Sequence, residues 1–412
     1  LKTYNVGIIG FGFIGKVHAF CHHNLGYLYQ PLPFRTRITH VCTSRAESAK
    51  AAREFLGANV GTTDYREITE NPEIDIVHIC SPNHRHKDAL LSAMANGKDI
   101  YCDKPVVADM DEAADVEAAL QGYDGITQVT FQNRFFPSSL HAVELARSGC
   151  LGRILQFRCA FLHAGSANPE TPLKWKLSGA AGGGVVADLG SHAMDLVHAL
   201  IGDYSQVLSA TKIAYADRPS ADEPGKRVPV DAEDLMLVTA RMANGALGTI
   251  EATKLATGTE DELRVEIHGS DGALRFNSMQ PGWLEYYDAR TDDSSYGGVR
   301  GWTRIDCGMR YPAPAAMLPG KVSIGWVRAH IHSLYTFMDA VHTRQPTQPD
   351  LAHGLYIQSL MDAVLRSSRD GTWVDCSPAP DAGIRLGRTT RSGPVGSCAR
   401  PPRAGLLSRQ RP

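Results

Sequence analysis

The feature that most constrains this chain is Gly10-Phe11-Gly12-Phe13-Ile14-Gly15, lodged between the apolar run YNVGIIG and a helical pattern. GxGxxG alone specifies little. Directly after a strand and opening a helix, it makes a turn tight enough for close backbone approach to a pyrophosphate. The helix N-terminus then favours the negative charge. The following residues keep that frame. RITHVCT, ANVGTTD, IDIVHIC, DIYCDK and ITQVTF recur through residue 131, with amphipathic stretches such as AESAKAAREF and HKDALLSAMANG between them. Strand–helix alternation at this spacing predicts a doubly wound parallel sheet.

That is an α/β Rossmann domain over residues 1–134, with Gly10, Gly12, Phe13, Ile14 and Gly15 at the dinucleotide. Beyond it the rhythm changes. A helix over SSLHAVELARSG and a strand-like GRILQFRCAFLHA precede the runs VLSATKIAYA, EDLMLVTARMANGALGTIEATKLA, ELRVEIHGSDGALRFNS and WLEYYDA. Joined by NG and DG turns, they read as an open, mostly antiparallel sheet. Residues 326–345 and 351–368 read as helices. Together these predict a second, substrate-binding α+β domain over residues 135–378. Residues 379–412 have no apolar periodicity and are expected to be a disordered basic tail; residues 382–412 hold seven Arg and no Asp, Glu or Lys.

A formal charge of −2 over 412 residues leaves no global field favouring nucleic acid or a membrane. No apolar run approaches a membrane span. Nine cysteines, none in a CxxC pair and several inside apolar runs, suit reduced buried thiols and a cytoplasmic setting. No signal-peptide pattern opens the chain.

Cofactor choice is read at the end of the second strand, where an NAD site usually offers Asp or Glu to the ribose hydroxyls. Here the residues are Thr43, Ser44 and Arg45, with no acid before Glu47. Hydroxyls and a guanidinium suit a 2′-phosphate, so NADP is favoured over NAD. The alternative is that Arg45 is an exposed first-turn residue and the cofactor is NAD or either one.

A second unusual stretch is GGGVVADLGSHAMDLVHAL, residues 182–200. On a helix, Asp188, His192 and Asp195 share one face. A divalent-metal site, an acid/base pair and a structural polar cluster all remain open from these residues alone.

Taken in order, the GxGxxG, Ser81-Pro82-Asn83-His84-Arg85-His86, Cys102-Asp103-Lys104-Pro105 and Asp188…His192 resemble the Gfo/Idh/MocA oxidoreductases. The family's Glu-Lys-Pro stands here as Asp103-Lys104-Pro105. SANPETPLKW, VPVDAEDLM and VEIHGSDGALRFN are similar to its levoglucosan, sugar and inositol dehydrogenase branch. The resemblance implies NAD(P)-dependent hydride transfer at a secondary hydroxyl of a pyranose, anhydro sugar or inositol. It implies no metal. His192 would be the base, Asp188 its partner and Lys104 the donor to the reacting oxygen. Asp195 would be structural or a helper. Ser81, Asn83, His86, Asp103 and Lys104 would meet the cofactor, and Asn133, Arg134 and Trp175 would line the substrate cleft beside Asp188 and His192. A homo-oligomer, dimer or tetramer, would form through the C-terminal sheet. Two alternatives remain: a glycosidase using bound NAD by oxidation and elimination, and a non-catalytic nucleotide sensor.

Overall fold

The computed structural model describes residues 1–221, 223–316, 325–376 and 378. The expected tail, 379–412, lies outside the described residues. The N-terminal half runs β1 (Lys2–Ile9), α1 (Phe13–Leu28), β2 (Phe34–Cys42), α2 (Ala46–Leu56), β3 (Val60–Thr62), α3 (Arg66–Thr69), β4 (Ile76–Ile79), α4 (His86–Ala95), β5 (Asp99–Cys102), α5 (Met110–Leu120) and β6 (Thr127–Val129). The six strands form one parallel sheet in the order β3-β2-β1-β4-β5-β6. The order reverses between β1 and β4, so a crevice opens at their carboxyl ends, where ligands of such sheets collect. The GxGxxG turn leaves β1 into this crevice. The buried strands IVHI and DIYC are continuous rather than alternating because helices cover both faces.

The chain continues through α6 (Pro137–Arg147), β7 (Ile154–His163), α7 (Ser191–Ile201), β8 (Tyr204–Lys212), β9 (Asp217–Pro219), β10 (Arg227–Pro229), β11 (Leu235–Met242), β12 (Leu247–Thr253), β13 (Asp261–Gly269), β14 (Gly272–Asn277), β15 (Trp283–Asp288) and β16 (Trp302–Asp306). It ends with α8 (Trp326–Thr343), α9 (Leu351–Asp370) and β17 (Val374–Asp375). Nine of these strands form a sheet in the order β16-β15-β14-β13-β7-β12-β11-β8-β17. β7 is inserted between β13 and β12 and runs parallel to β12; the other pairings are antiparallel. The sheet is therefore mixed rather than a simple run of hairpins. β9 and β10 form a separate small hairpin.

One apolar cluster joins Leu90, Ala93 and Val116 of the first sheet's helices to Tyr356 and Leu360 of α9, to Val197 of α7 and to Ile250 and Val265 of the second sheet. A second cluster brings Ile331, Leu334 and Phe337 of α8 against Val6, Ile8, Leu25 and Phe34. A helix from the far end of the sequence thus completes the packing of the first sheet. The cysteines Cys21, Cys42, Cys80, Cys102, Cys159, Cys307 and Cys376 are free. No helix among the described residues is long and apolar enough to cross a membrane.

Candidate active site

A cleft of about 1180 Å³ runs between the parallel-strand ends and the second sheet. It exceeds what one sugar needs and has room for a dinucleotide beside it. Gly10, Gly12, Phe13, Ile14, Thr43, Ser44, Arg45, Ser81, Asn83, Asp103 and Lys104 line one end and wall. Trp175, Asp188 and His192 line the other. Most of the residues expected at the site are thereby brought to one cavity.

The glycines divide by role. Gly10 has φ +92°, and a Cβ there would sit 2.5 Å from the backbone of Cys80 and Ser81. A Cβ on Gly15 would sit within 2.2 Å of the Gly10 carbonyl. Both are needed for the turn itself. Gly12 meets nothing within 4 Å. Its missing side chain leaves open space over the uncapped first turn of α1. With the cleft-lining Ser81 Oγ, buried and without a partner, this cradle fits a dinucleotide phosphate. Across the crevice, Thr43 Oγ1 bonds Ser48 Oγ at 2.7 Å, and Ser48 also lines the cleft. At the other end Trp175 and its neighbour Lys176 form part of the wall, with Trp175 38% exposed. Trp326, at the start of α8, stacks on Phe13 with ring centroids 5.8 Å apart and lines the cleft beside the GxGxxG turn.

Several expected residues stand elsewhere. His86 is fully buried behind the cleft, not in its wall. Nε2 meets the Ser81 carbonyl at 2.7 Å and Nδ1 meets the Pro105 carbonyl at 3.1 Å, so it ties two cleft loops together. Asn133 and Arg134 do not line the cleft either. Arg134 Nε bonds Asp195 Oδ2 at 2.6 Å, and Asp195 Oδ1 lies 2.7 Å from His353 Nε2. This buried network draws Arg134 and Asp195 away from the cavity, because a buried carboxylate must be paired. The expectation of one shared face therefore fails for Asp195. The helix also begins later than residue 182. Residues Val186–Gly190 form a wide π-turn, and only from Ser191 is the helix regular. Such turns recur at functional sites.

Asp188 sits on that π-turn. Lys104 Nζ donates to its backbone carbonyl and lies 3.3 Å from Oδ1. Lys176 Nζ donates to Oδ1 at 2.9 Å, and Lys254 Nζ lies 3.1 Å from Oδ2. Burial pushes the carboxyl up, but Lys254, Lys104 and Lys176 outweigh it and hold Asp188 well below the usual carboxylate range. Lys176 and Lys254 carry no motif in the sequence. Both are brought in by the fold, Lys176 from a short turn and Lys254 from the end of β12.

His192 is 5% exposed, with Phe131 and Phe161 edge-on to its ring at centroid distances of 5.9 and 6.0 Å. Nδ1 has no hydrogen-bond partner. Burial first, then the Lys104 charge, push the imidazole well below 6.5, against the pull of Asp188. Burial likewise lowers the Lys104 ammonium, against the pull of Asp188. The arrangement is a neutral imidazole and a cation facing one cavity, with an ionised carboxylate behind the cation. It can accept a proton at one atom and stabilise developing negative charge at another. Among the described residues no group of three or more His, Cys, Asp or Glu is arranged to hold a metal ion.

Comparison with known proteins finds one oxidoreductase family for both halves of the chain. Residues 4–131 match the model of an oxidoreductase family NAD-binding Rossmann fold, and residues 143–376 match that family's C-terminal alpha/beta domain. Levoglucosan dehydrogenase of Pseudarthrobacter phenanthrenivorans is 30% identical over 389 residues, covering 91% of this chain and 98% of the relative. Myo-inositol 2-dehydrogenase of Thermotoga maritima is 24% identical, covering 70% of this chain and 80% of the relative. A solved levoglucosan dehydrogenase in complex with NADH and L-sorbose superposes with a TM-score of 0.87 at 29% identity, over 92% of this chain and 100% of the other.

Proposed function

The chain belongs to the Gfo/Idh/MocA oxidoreductase family, NAD-binding domain and C-terminal domain both, and from that premise we propose that it oxidises a secondary hydroxyl of a pyranose, anhydro sugar or inositol. The observation that carries this reading is the meeting of Lys104, Asp188 and His192 in one cleft with the GxGxxG turn. The named activities of the levoglucosan and inositol dehydrogenase relatives support the substrate class.

A bound nicotinamide supplies the hydride acceptor. The residues of the chain do the rest. Trp175, 38% exposed and with Lys176 Nζ 5.9 Å from its ring centroid, offers aromatic surface to a sugar ring. The reacting hydroxyl lies within reach of Lys104 Nζ, whose hydrogen bond stabilises the oxygen as its proton leaves. His192, neutral before the reaction, takes that proton at the nitrogen facing the cleft. Asp188 keeps the charge of Lys104 compensated in a water-poor site. Gly10 and Gly12 bring backbone to the pyrophosphate, Ser81 adds its unpartnered hydroxyl to that cradle, and Asn83 is assigned to the nicotinamide-side ribose.

Cofactor choice is part of the proposal. Thr43, Ser44, Arg45 and Ser48 line the adenosine end and none is acidic, which favours a 2′-phosphate and hence NADP. The solved relative holds NADH, so the preference rests on these four side chains alone. We further propose a homo-oligomer through the open face of the second sheet. Arg158, Arg264, Glu266, Arg275, Glu285 and Arg304 stand there as interleaved charges beside Trp283, a surface complementary to a second copy of itself.

The deciding experiment measures nicotinamide absorbance with a panel of pyranoses, anhydro sugars and inositols, each with NAD and NADP. Steady reduction of free cofactor by at least one of them is expected. Turnover of a glycoside with no net cofactor change would replace the dehydrogenase reading with oxidation and elimination.

A further inference from the structure

Asp188 is placed, by chain order, to serve His192 four residues later, yet its carboxylate is taken up by lysines. Oδ1 receives Lys176 at 2.9 Å and Lys104 at 3.3 Å, and Oδ2 receives Lys254 at 3.1 Å. His192 Nδ1 is meanwhile left without a partner. Of the three lysines, Lys254 has the most buried side chain, 7% exposed, against 11% for Lys104 and 52% for Lys176. A buried ammonium is expensive unless paired, so its position is fixed by the carboxylate it meets. Its backbone is fixed as well. Lys254 N donates to the Asp234 carbonyl and its own carbonyl accepts from Ser166 N, both at 2.9 Å. Lys254 does not stand in the wall of the cleft. It reaches the chemistry through Asp188, and its Nζ also donates to the Lys176 carbonyl at 3.5 Å.

We propose that Lys254 is a positioning residue of the active site: its ammonium holds the Asp188 carboxylate inside the lysine cluster and off the His192 ring, which keeps His192 an uncharged base. The inference rests on the catalytic reading above. Without Lys254, Oδ2 is free to turn toward His192, and the negative charge of Asp188 is less compensated. Both changes favour the imidazolium. The groups facing Asp188 and His192 from the surrounding elements are Lys104 and Asp103 after β5, Lys176 before the π-turn, Asp261 at the start of β13 and His330 of α8. Lys104, Lys176 and His330 act against the imidazolium and Asp188 acts for it. Lys254, with Lys104 and Lys176, holds Asp188 ionised, and it is the lysine that meets Oδ2, so its removal is the change that frees that oxygen.

The test is a histidine NMR titration of the full-length protein without cofactor or substrate, so it needs no turnover. His192→Asn assigns the resonance. In the wild type, the His192 signal is expected to keep its neutral position through the neutral range. Lys254→Met should raise its midpoint by about one pH unit, the usual scale for an altered close charge. Lys254→Arg should restore the wild-type curve. In turnover assays the acid limb of the kcat profile should move up by the same amount in Lys254→Met, with NADH affinity unchanged. If Lys254→Met does not fold, Lys254→Gln, which keeps a polar side chain but no charge, carries the test and should shift the midpoint in the same direction. A folded variant with an unmoved His192 midpoint overturns the proposal. A shifted midpoint in a protein that oxidises no sugar or inositol leaves the lysine coupling standing and removes the catalytic reading instead.

Discussion

Lys104 Nζ, from the parallel-sheet domain, lies 3.3 Å from Asp188 Oδ1 on the opposite wall of the cleft. Lys104 comes from the loop after β5 and Asp188 from the turn before α7, so this contact exists only when the two domains are correctly docked. It is also why the site is divided. The first domain brings the proposed cofactor cradle and one cation; the second brings the proposed base, His192, and the carboxylate that meets that cation. A variant of one wall should therefore separate binding from chemistry.

His192→Asn makes that separation directly. Asn keeps a polar side chain but cannot accept the proton at neutral pH. Turnover with the best substrate of the panel should fall by roughly 10²–10⁴-fold, the range for loss of a general base. NADH affinity, measured by fluorescence titration, should change little, since the cradle belongs to the other domain. Near-normal turnover would remove the base role from His192.

The glycine turn offers a second separation, this time between folding and binding. Gly12→Ala places a methyl in open space at φ −77°, a backbone any residue adopts. Its melting temperature should match the wild type, while NADH binding weakens at least tenfold because the methyl occupies the phosphate cradle. Gly10→Ala should lose both, since its Cβ meets the Cys80–Ser81 backbone at 2.5 Å and its φ is +92°. Equal behaviour of the two variants would contradict this division.

Arg45 is tested by its selectivity. If it reads a 2′-phosphate, Arg45→Ala should weaken NADP by about tenfold or more and leave NAD almost untouched, because a charge-assisted phosphate contact is lost from one cofactor alone. Equal loss for both, or a wild-type preference for NAD, would show that Arg45 contacts no phosphate.

The parallel sheet and its cradle are legible in the chain because both are local. Each strand is a short apolar run, and the GxGxxG sits where strand meets helix. Asp188 and His192 are legible because they share one turn of chain. What surrounds them is not. Lys254 lies in EATKLATG, where nothing marks it as different from any lysine at a strand end. It meets Asp188 because β12 pairs in parallel with β7, a long-range pairing that no hairpin pattern announces. Arg134 fails in the opposite sense. Its residue type and position suit a cleft, but it pairs with Asp195 and is held out of the cavity, with Asp195 buried between it and His353. The π-turn is equally silent in sequence, since Val186–Gly190 has ordinary helical composition.

Beneath the glycine turn lies a last feature with a measurable consequence. His18 Nδ1 is 3.0 Å from His78 Nδ1, His78 Nε2 is 3.0 Å from His22 Nε2, and His22 Nδ1 is 3.1 Å from Thr36 Oγ1. His18 Nδ1 also lies 3.1 Å from Cys80 Sγ at the cleft. Neutral rings, each with one donor and one acceptor, can satisfy every bond in a chain of imidazoles this close. Burial lowers His18 and His22 to about 3 and His78 well below 6.5, the two neighbouring rings adding to the effect on His78. In the unfolded chain the same groups take up protons near 6.5. Between about 3 and 6.5 the unfolded state therefore binds more protons, and stability rises with pH across that window and levels off above it. Each ring contributes a slope of about 1.4 kcal/mol per pH unit at most. Asp99 and Asp261, whose carboxyls burial raises, oppose the trend only toward the acid end. The urea midpoint should hold steady above neutrality and drop steeply as pH falls toward about 5, with net proton uptake on unfolding there. His78→Phe removes one titrating ring and strands its two partners. It should lower stability at neutral pH but make the acid slope shallower. A midpoint that stays level down to about pH 5 in the wild type would mean that the three rings do not remain uncharged in the folded protein.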